Sequence, residues 1–221
     1  MIKAVLFDLD GTLVDTLEDL ADAVNFALSK YGFPTHELHK FNYFVGNGMK
    51  NLIERSLPEE GVDEETFQKV FDAFYNYYSV HYLDKTYVYS GFEEVLNTLK
   101  IKGIKLAVVS NKRHEMTEAI IDKQLVGYFD AVTGQRPDYP VKPDPTLALK
   151  IIDDLGATPA ECVFVGDSGS DAVTARNIGC KGVGVLWGFR TEEELLENGA
   201  HYIAKEPKDI LNIIEAINNG N

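Results

Sequence analysis

The residues Ala4-Val-Leu-Phe7 form a wholly apolar run that stops at two carboxylates, Asp8 and Asp10, with one apolar residue between them. Four apolar residues bounded by acids and a turn read as a short strand buried on both faces. Such strands belong inside parallel sheets covered on both sides by helices, and this demand constrains the fold of the whole chain. On extended backbone the spacing of Asp8 and Asp10 turns both side chains the same way, and Gly11-Thr12 then turns the chain. Like charges so close repel unless a cation or a shared proton relieves them. Taken alone, however, an Asp-x-Asp pair is more simply a solvated strand end with a capping Asp.

The rest of the chain supplies what a buried parallel strand requires. From Gly91 onward, helices are expected over 92–100, 114–124, 146–155, 169–178 and 191–198, with a last one at the end. Between them lie strand-like runs at 104–110, 129–133, 162–166, 182–186 and 201–204. Strands alternating with helices predict an α/β class, a doubly wound, Rossmann-like parallel sheet. One connection is anomalous: a βαβ crossover needs about a dozen residues or more, yet far more separate Asp8 from Leu106. That stretch reads as helical throughout. Asp15-Thr-Leu-Glu18 resembles a capping box ahead of Leu20, Val24, Ala27 and Leu28, and Gly32 and Pro34 end the helix. A second helix is expected over 49–57 and a third over 63–82, where Phe67, Val70, Phe71, Phe74 and Tyr78 make a stripe best read as packed core. The predicted organisation is therefore an α/β catalytic core of residues 1–14 and 86–221 with a small all-helical insertion, a cap, over 15–85. The insertion leaves from the loop that carries Asp8 and Asp10, where it is placed to cover them.

In such sheets ligands bind outside the carboxyl ends of the strands. The expected ends carry Asp8 and Asp10, then Ser110-Asn111, then Gly166-Asp-Ser-Gly-Ser-Asp171, while Pro140-Val-Lys-Pro-Asp-Pro145 is a rigid loop presenting Lys142. Each has a plain reading: Ser-Asn caps a helix, Lys beside Pro is solvated, Asp167 is an N-cap and Asp171 a surface charge. In this order, with Asp8-Leu-Asp-Gly-Thr12 first, they resemble the four motifs of the haloacid dehalogenase-like phosphatases across nearly the whole chain. The resemblance implies a Mg²⁺ ion held by the Asp8 carboxylate, the Asp10 backbone carbonyl and the Asp167 carboxylate. It implies Asp8 as nucleophile forming an aspartyl-phosphate, and Asp10 as general acid and then base. Ser110, the Asn111 amide and Lys142 would hold the phosphoryl oxygens. Asp171 would orient Lys142 or a metal-bound water, and Thr12 would fix the Asp10 side chain. The dehalogenases that name the group lack the second carboxylate, so Asp10 points to phosphoryl transfer.

Substrate identity is expected from the insertion. Val45-Gly-Asn-Gly-Met-Lys-Asn-Leu-Ile-Glu-Arg-Ser-Leu57, the stretch Val185-Leu-Trp-Gly-Phe-Arg190 and Ser110-Asn-Lys112 resemble segments of phosphoglycolate phosphatases, which implies 2-phosphoglycolate as substrate. Gly46, Asn47 and Gly48, at a helix start, would offer N–H groups to an anion. Lys50 or Arg55 would pair with a substrate carboxylate, or else lie on a solvated helix face, and Trp187 and Tyr43 are equally packing residues. The alternatives are a pyrophosphatase, a sugar-phosphate phosphatase or a phosphomutase of the same fold and, from another class, a non-catalytic regulator that binds phosphorylated metabolites. Loss of Asp8 or Asp10 would have marked that regulator.

Charge narrows the partners. With 21 Lys and Arg against 35 Asp and Glu, a net −14, the chain repels nucleic acid and anionic membrane. A small phosphorylated metabolite then needs a metal and a few local cations. Cys162 and Cys180 are the only cysteines and the five His are scattered, so neither a disulfide framework nor a zinc site is expected. The opening residues are not patterned as a signal peptide and no run approaches a membrane span, which fits the cytoplasm. Monomer and homodimer are not distinguished.

Overall fold

The structure, a computed structural model, describes residues 1–46 and 48–220. By its internal contacts the chain divides into two compact units, Met1–Val14 with Val88–Asn221 and, between them, Asp15–Tyr87. In chain order, β1 (Ala4–Phe7) is followed by β2 (Val14–Asp15), α1 (Leu17–Lys30), α2 (Phe41–Phe44), α3 (Gly48–Ser56), α4 (Glu64–His81) and β3 (Tyr87–Val88). Then come α5 (Phe92–Ile101), β4 (Lys105–Arg113), α6 (His114–Gln124), β5 (Ala131–Gln135), α7 (Thr146–Asp154) and β6 (Cys162–Gly166). Finally α8 (Gly169–Ile178), β7 (Lys181–Val185), α9 (Glu192–Glu197), β8 (Tyr202–Ala204) and α10 (Asp209–Asn218) close the chain.

The larger unit is built on a sheet ordered β5-β4-β1-β6-β7-β8, with β1 at its centre. Its strand pairs are parallel, as the buried apolar run demands. Ala4 to Phe7 are each 0% exposed, because alternate side chains enter two different cores. Ala4 and Leu6, with Ala107, Val109, Cys162 and Phe164, pack under Ala148, Ile151 and Ile152 of α7 and Ala175 and Ile178 of α8. Phe7 points the other way and meets Phe92 of α5 edge-on, with ring centroids 6.1 Å apart. The chain winds from β1 outward to β4 and β5, then returns to the far side of β1 for β6, β7 and β8. The topology thus switches between β1 and β6, where a doubly wound sheet opens a crevice. Phe7 is in register with Val108 on one side and Val165 on the other, so the residues following them share one edge.

The smaller unit is helical. Leu20, Val24, Ala27 and Leu28 of α1 face Val70, Phe74 and Tyr78 of α4 among the buried residues, joined by Leu52 and Ile53 of α3. The aromatic stripe of α4 is core at Phe74 and Tyr78, whose rings stack at 5.5 Å, and half-buried at Phe67 and Phe71. Asp63 caps α4 by accepting the Thr66 N–H at 2.8 Å. The capping box expected at Asp15–Glu18 does not form: Thr16 is the N-cap, Asp15 accepts the Leu17 N–H at 3.0 Å, and Glu18 instead reaches Lys85 at 3.3 Å. Asp19, 3% exposed, accepts the Lys85 and Thr86 N–H groups and the Thr86 hydroxyl, and so clamps the end of the insertion. The linker strands β2 and β3 pair as a two-stranded sheet.

Candidate active site

Asp8 follows β1 directly, and Asp167 follows β6, its neighbour across the switch point. Lys142, from the loop before α7, places its Nζ 2.7 Å from Asp8 Oδ1 and 2.7 Å from Asp171 Oδ1. Asp171 is held from its other side, because Ser168 donates its hydroxyl at 2.6 Å and its N–H at 3.1 Å to Oδ2. This reciprocal cap at the start of α8 explains an acid three residues after Ser168. Asp8, Asp167 and Asp171 are all buried, with ligand oxygens within 4.8 Å of one another.

Three carboxylates and one ammonium, out of water, set the electrostatics. Burial pushes the Asp8 carboxyl up from 3.8 to about 7, with Asp171 and Asp10 adding to the rise and Lys142 opposing it. Asp167 is held well above the ordinary carboxylate range, first by burial and then by Asp171 and Asp8, against the Phe189 N–H and Arg190. Burial alone would lower Lys142, yet Asp171 and Asp8 hold it above its ordinary value. The excess negative charge and the all-oxygen donor set suit a hard divalent cation such as Mg²⁺. Asp8, Asp167 and Asp171 together are the carboxylates that could hold such an ion, and Asp171 is already engaged by Lys142 and Ser168.

The loop after β1 and the segment after β7 close on Asp167. Gly11, at φ +83°, has no room for a Cβ, which would collide with the Asp167 carboxylate and come within 2.8 Å of the Phe189 ring. Gly188 is confined in the same way against Asp167 and the Gly11 carbonyl. Phe189 donates its N–H to Asp167 Oδ2 at 2.8 Å, and Trp187 donates Nε1 to the Thr12 carbonyl at 2.9 Å while packing on Phe92. Trp187 is therefore a packing and anchoring residue of this loop.

Thr12, Ser110, Asn111 and Lys142 all lie in the α/β unit, and one of them, Thr12, has another partner than expected. Thr12 directs its hydroxyl to Asp167 Oδ1, at 3.4 Å, and not to Asp10. Asn111 uses both ends of its side-chain amide on the backbone of Lys142, donating to the carbonyl at 3.1 Å and accepting the N–H at 2.8 Å. Its side chain thus fastens the Lys142 loop, because a Pro-flanked loop has few backbone donors of its own. Ser110, 4% exposed, accepts the Lys112 N–H at 3.2 Å. Asp10 is held by Lys112, a residue not singled out for a role in the sequence; its Nζ is 3.1 Å from Oδ1 and 3.3 Å from Oδ2. Gly46 and Gly48 lie in the helical unit at φ 117° and 83°, and Asn47 lies outside the described residues. In that unit Arg55 donates to the carbonyls of Tyr43 and Phe44, at 3.2 Å each, which satisfies the end of α2. Lys50 pairs with Glu54 at 3.8 Å.

No helix among the described residues is long and apolar enough to cross a membrane. Residues 5–185 match the model of the haloacid dehalogenase-like hydrolase family. The chain is similar to a phosphoglycolate phosphatase from Aquifex aeolicus, 33% identical over 97% of each chain. It is also similar to one from Caulobacter vibrioides, 34% identical over 93% of this chain and 88% of that one. Among solved structures, a protein from Lactobacillus delbrueckii subsp. bulgaricus, provisionally named a phosphoglycolate phosphatase, superposes with a TM-score of 0.91 at 30% identity, covering 96% of this chain and 98% of that one. The motif order, the switch-point aspartates and these relatives agree: the chain belongs to the haloacid dehalogenase-like hydrolases and is a phosphatase similar to the phosphoglycolate phosphatases.

Proposed function

We propose that the protein is a Mg²⁺-dependent phosphomonoesterase that works through an aspartyl-phosphate on Asp8 and takes 2-phosphoglycolate as substrate, with the helical unit as its cap. The observation that carries the reaction is a buried carboxylate, Asp8, 2.7 Å from the Lys142 ammonium and clustered with Asp167 and Asp171. The substrate rests on the likeness to relatives of that name, and a cytoplasmic setting on two buried free cysteines.

Asp8 and Asp167, with the Asp10 carbonyl, are the groups that would hold Mg²⁺. When bound, the ion supplies the positive charge that lets a carboxylate and a phosphate dianion approach. An Asp8 oxygen attacks phosphorus, so that a P–O bond to Asp8 forms and the bond to the leaving alkoxide breaks. Asp10 gives its proton to that leaving oxygen. Water then attacks the aspartyl-phosphate, Asp10 takes its proton, and the Asp8–phosphorus bond breaks to free phosphate and restore the carboxylate. Lys142, held by Asp171 and steered by Asn111, faces the charge on the phosphoryl oxygens, together with Ser110.

Phosphate release from 2-phosphoglycolate, pyrophosphate, sugar phosphates and nucleoside monophosphates, with Mg²⁺ and with a chelator, tests the reading. Mg²⁺-dependent release is expected, with kcat/KM for 2-phosphoglycolate at least about tenfold above the rest. Acid-quenched enzyme should carry a phosphoryl group that Asp8→Asn lacks. A flat profile would refute the substrate, isomerisation of a sugar phosphate would make the chain a mutase, and binding without turnover would make it a regulator.

A further inference from the structure

We propose that Lys112 is a positioning residue for proton transfer, its ammonium pinning the Asp10 carboxylate in the orientation from which Asp10 protonates the leaving oxygen and later deprotonates water. The proposal rests on the reading of Asp10 as general acid and base.

Among the described residues the buried lysines are Lys112 and Lys142, 5% and 6% exposed. Removing an ammonium from water costs several kcal/mol unless it is well paired, and each of these lysines faces one of the two motif aspartates. Lys112 meets both oxygens of Asp10, at 3.1 and 3.3 Å, with its side chain 2% exposed against 15% for Asp10. The two contacts together restrain rotation of the carboxylate, which a surface ion pair does not do.

The backbone is shaped to deliver this contact. Between Val109 and Arg113, β4 advances by more residues than β5 does between their partners Thr133 and Gln135, a register shift that spans Ser110, Asn111 and Lys112. Bulges of this kind re-aim side chains beside active sites. Gly134 lies against the irregular stretch, and a Cβ there would run into the Lys112 carbonyl and come within 2.8 Å of His114 Cα. Thr117 fastens the same turn, donating its hydroxyl to the Lys112 carbonyl at 3.3 Å and to that of Arg113 at 3.0 Å.

Leaving groups separate this role from substrate binding or simple packing. An alkyl leaving group needs the Asp10 proton; a nitrophenolate departs without it. Hydrolysis of the aspartyl-phosphate needs Asp10 whichever ester formed it. With Lys112→Met, kcat for 2-phosphoglycolate should fall about 100-fold while KM moves less than about threefold, as expected of a group that acts through Asp10. With nitrophenyl phosphate the variant should release a burst of nitrophenol at near the wild-type rate, about one per active site, followed by a slow phase. Phosphoenzyme should accumulate on acid quench. Lys112→Gln, which keeps one donor, should fall between, and it carries the test if the Met variant does not fold. The alkyl-to-aryl burst ratio does not depend on the folded fraction. Parallel loss on both esters without a burst would overturn the proposal, as would a raised KM at unchanged kcat. If Asp10→Asn keeps normal alkyl-ester turnover, the reading of Asp10 itself is wrong, a result separable from any outcome at Lys112.

Discussion

Replacing Asp8 by Asn should make the metal-free protein more stable above neutral pH. In the native state burial, Asp171 and Asp10 outweigh Lys142 and raise the Asp8 carboxyl from 3.8 to about 7. A carboxyl that is easier to ionise unfolded than folded contributes stability below its unfolded value and loses it as pH climbs through the folded one. Between those limits the native state binds one more proton than the unfolded state, so stability falls by roughly 1.4 kcal/mol per pH unit. The penalty at pH 8.5 is thus at most about 4 kcal/mol. Asn keeps the shape and removes the charge, and Asp167, which Asp8 also pushes upward, is relieved with it. Against this, Lys142 loses one of its two carboxylate partners but keeps Asp171 at 2.7 Å. The net gain should be about 2–4 kcal/mol, or roughly 5–10 °C in Tm for a chain of this size.

Thermal unfolding in chelator at pH 4.5 and pH 8.5 would measure it. At pH 4.5, where native Asp8 is protonated, the two proteins should differ by no more than about 1 kcal/mol, and they should separate at alkaline pH with the Asn variant higher. If Asp8 is a Mg²⁺ ligand as proposed, saturating Mg²⁺ should narrow or reverse the gap, because an ion at 100 times its Kd adds about 2.7 kcal/mol to a protein that binds it and the variant would lack one of the proposed ligands. An Asn variant less stable than wild type in chelator at pH 8.5 would refute the reasoning. It would mean that the Lys142 ion pair outweighs the desolvation of Asp8.

Two further substitutions test other parts of the structure. Gly188→Ala places a methyl group against Asp167 Cβ and the Gly11 carbonyl, so it should weaken Mg²⁺ activation by about tenfold or more and cost about 1–3 kcal/mol; calorimetric Mg²⁺ affinity equal to wild type would count against the packing described. Asp19→Ala removes the acceptor of the Lys85 and Thr86 N–H groups and the Thr86 hydroxyl, and it should lower denaturant stability by about 2–3 kcal/mol while the α/β unit keeps its phosphatase residues intact; an unchanged midpoint would show that water replaces the carboxylate there.

What could be read in the chain beforehand depended on how local the cause was. β1 was legible because four apolar residues can be satisfied only by burial on both faces, and the strand-helix alternation after Gly91 follows from side-chain period alone. Asp8, Lys142, Asp167 and Asp171 were legible as candidates because their order along the chain resembles the motifs of a known family, although each alone has a plainer reading. Their mutual contacts were not, since these depend on which strands become neighbours. Lys112 shows the limit most clearly. On a regular strand ending at Ser110, Lys112 belongs to the turn and to solvent. It points inward because β4 shifts register across Ser110–Lys112, and Gly134, on a different strand, leaves room for the shift. The side-chain contacts of Asn111 were hidden in the same way, because its amide meets the backbone of Lys142, distant in sequence. The short helical stretch at 38–44 escaped because its order comes from the rings of His36, Phe41 and Phe44 packing edge to face, a cluster too short to set a period. Residue type, spacing and motif order therefore point to the candidates for the chemistry, while the Lys112–Asp10 contact depends on a register shift across Ser110–Lys112 and on Gly134, neither of which spacing reveals.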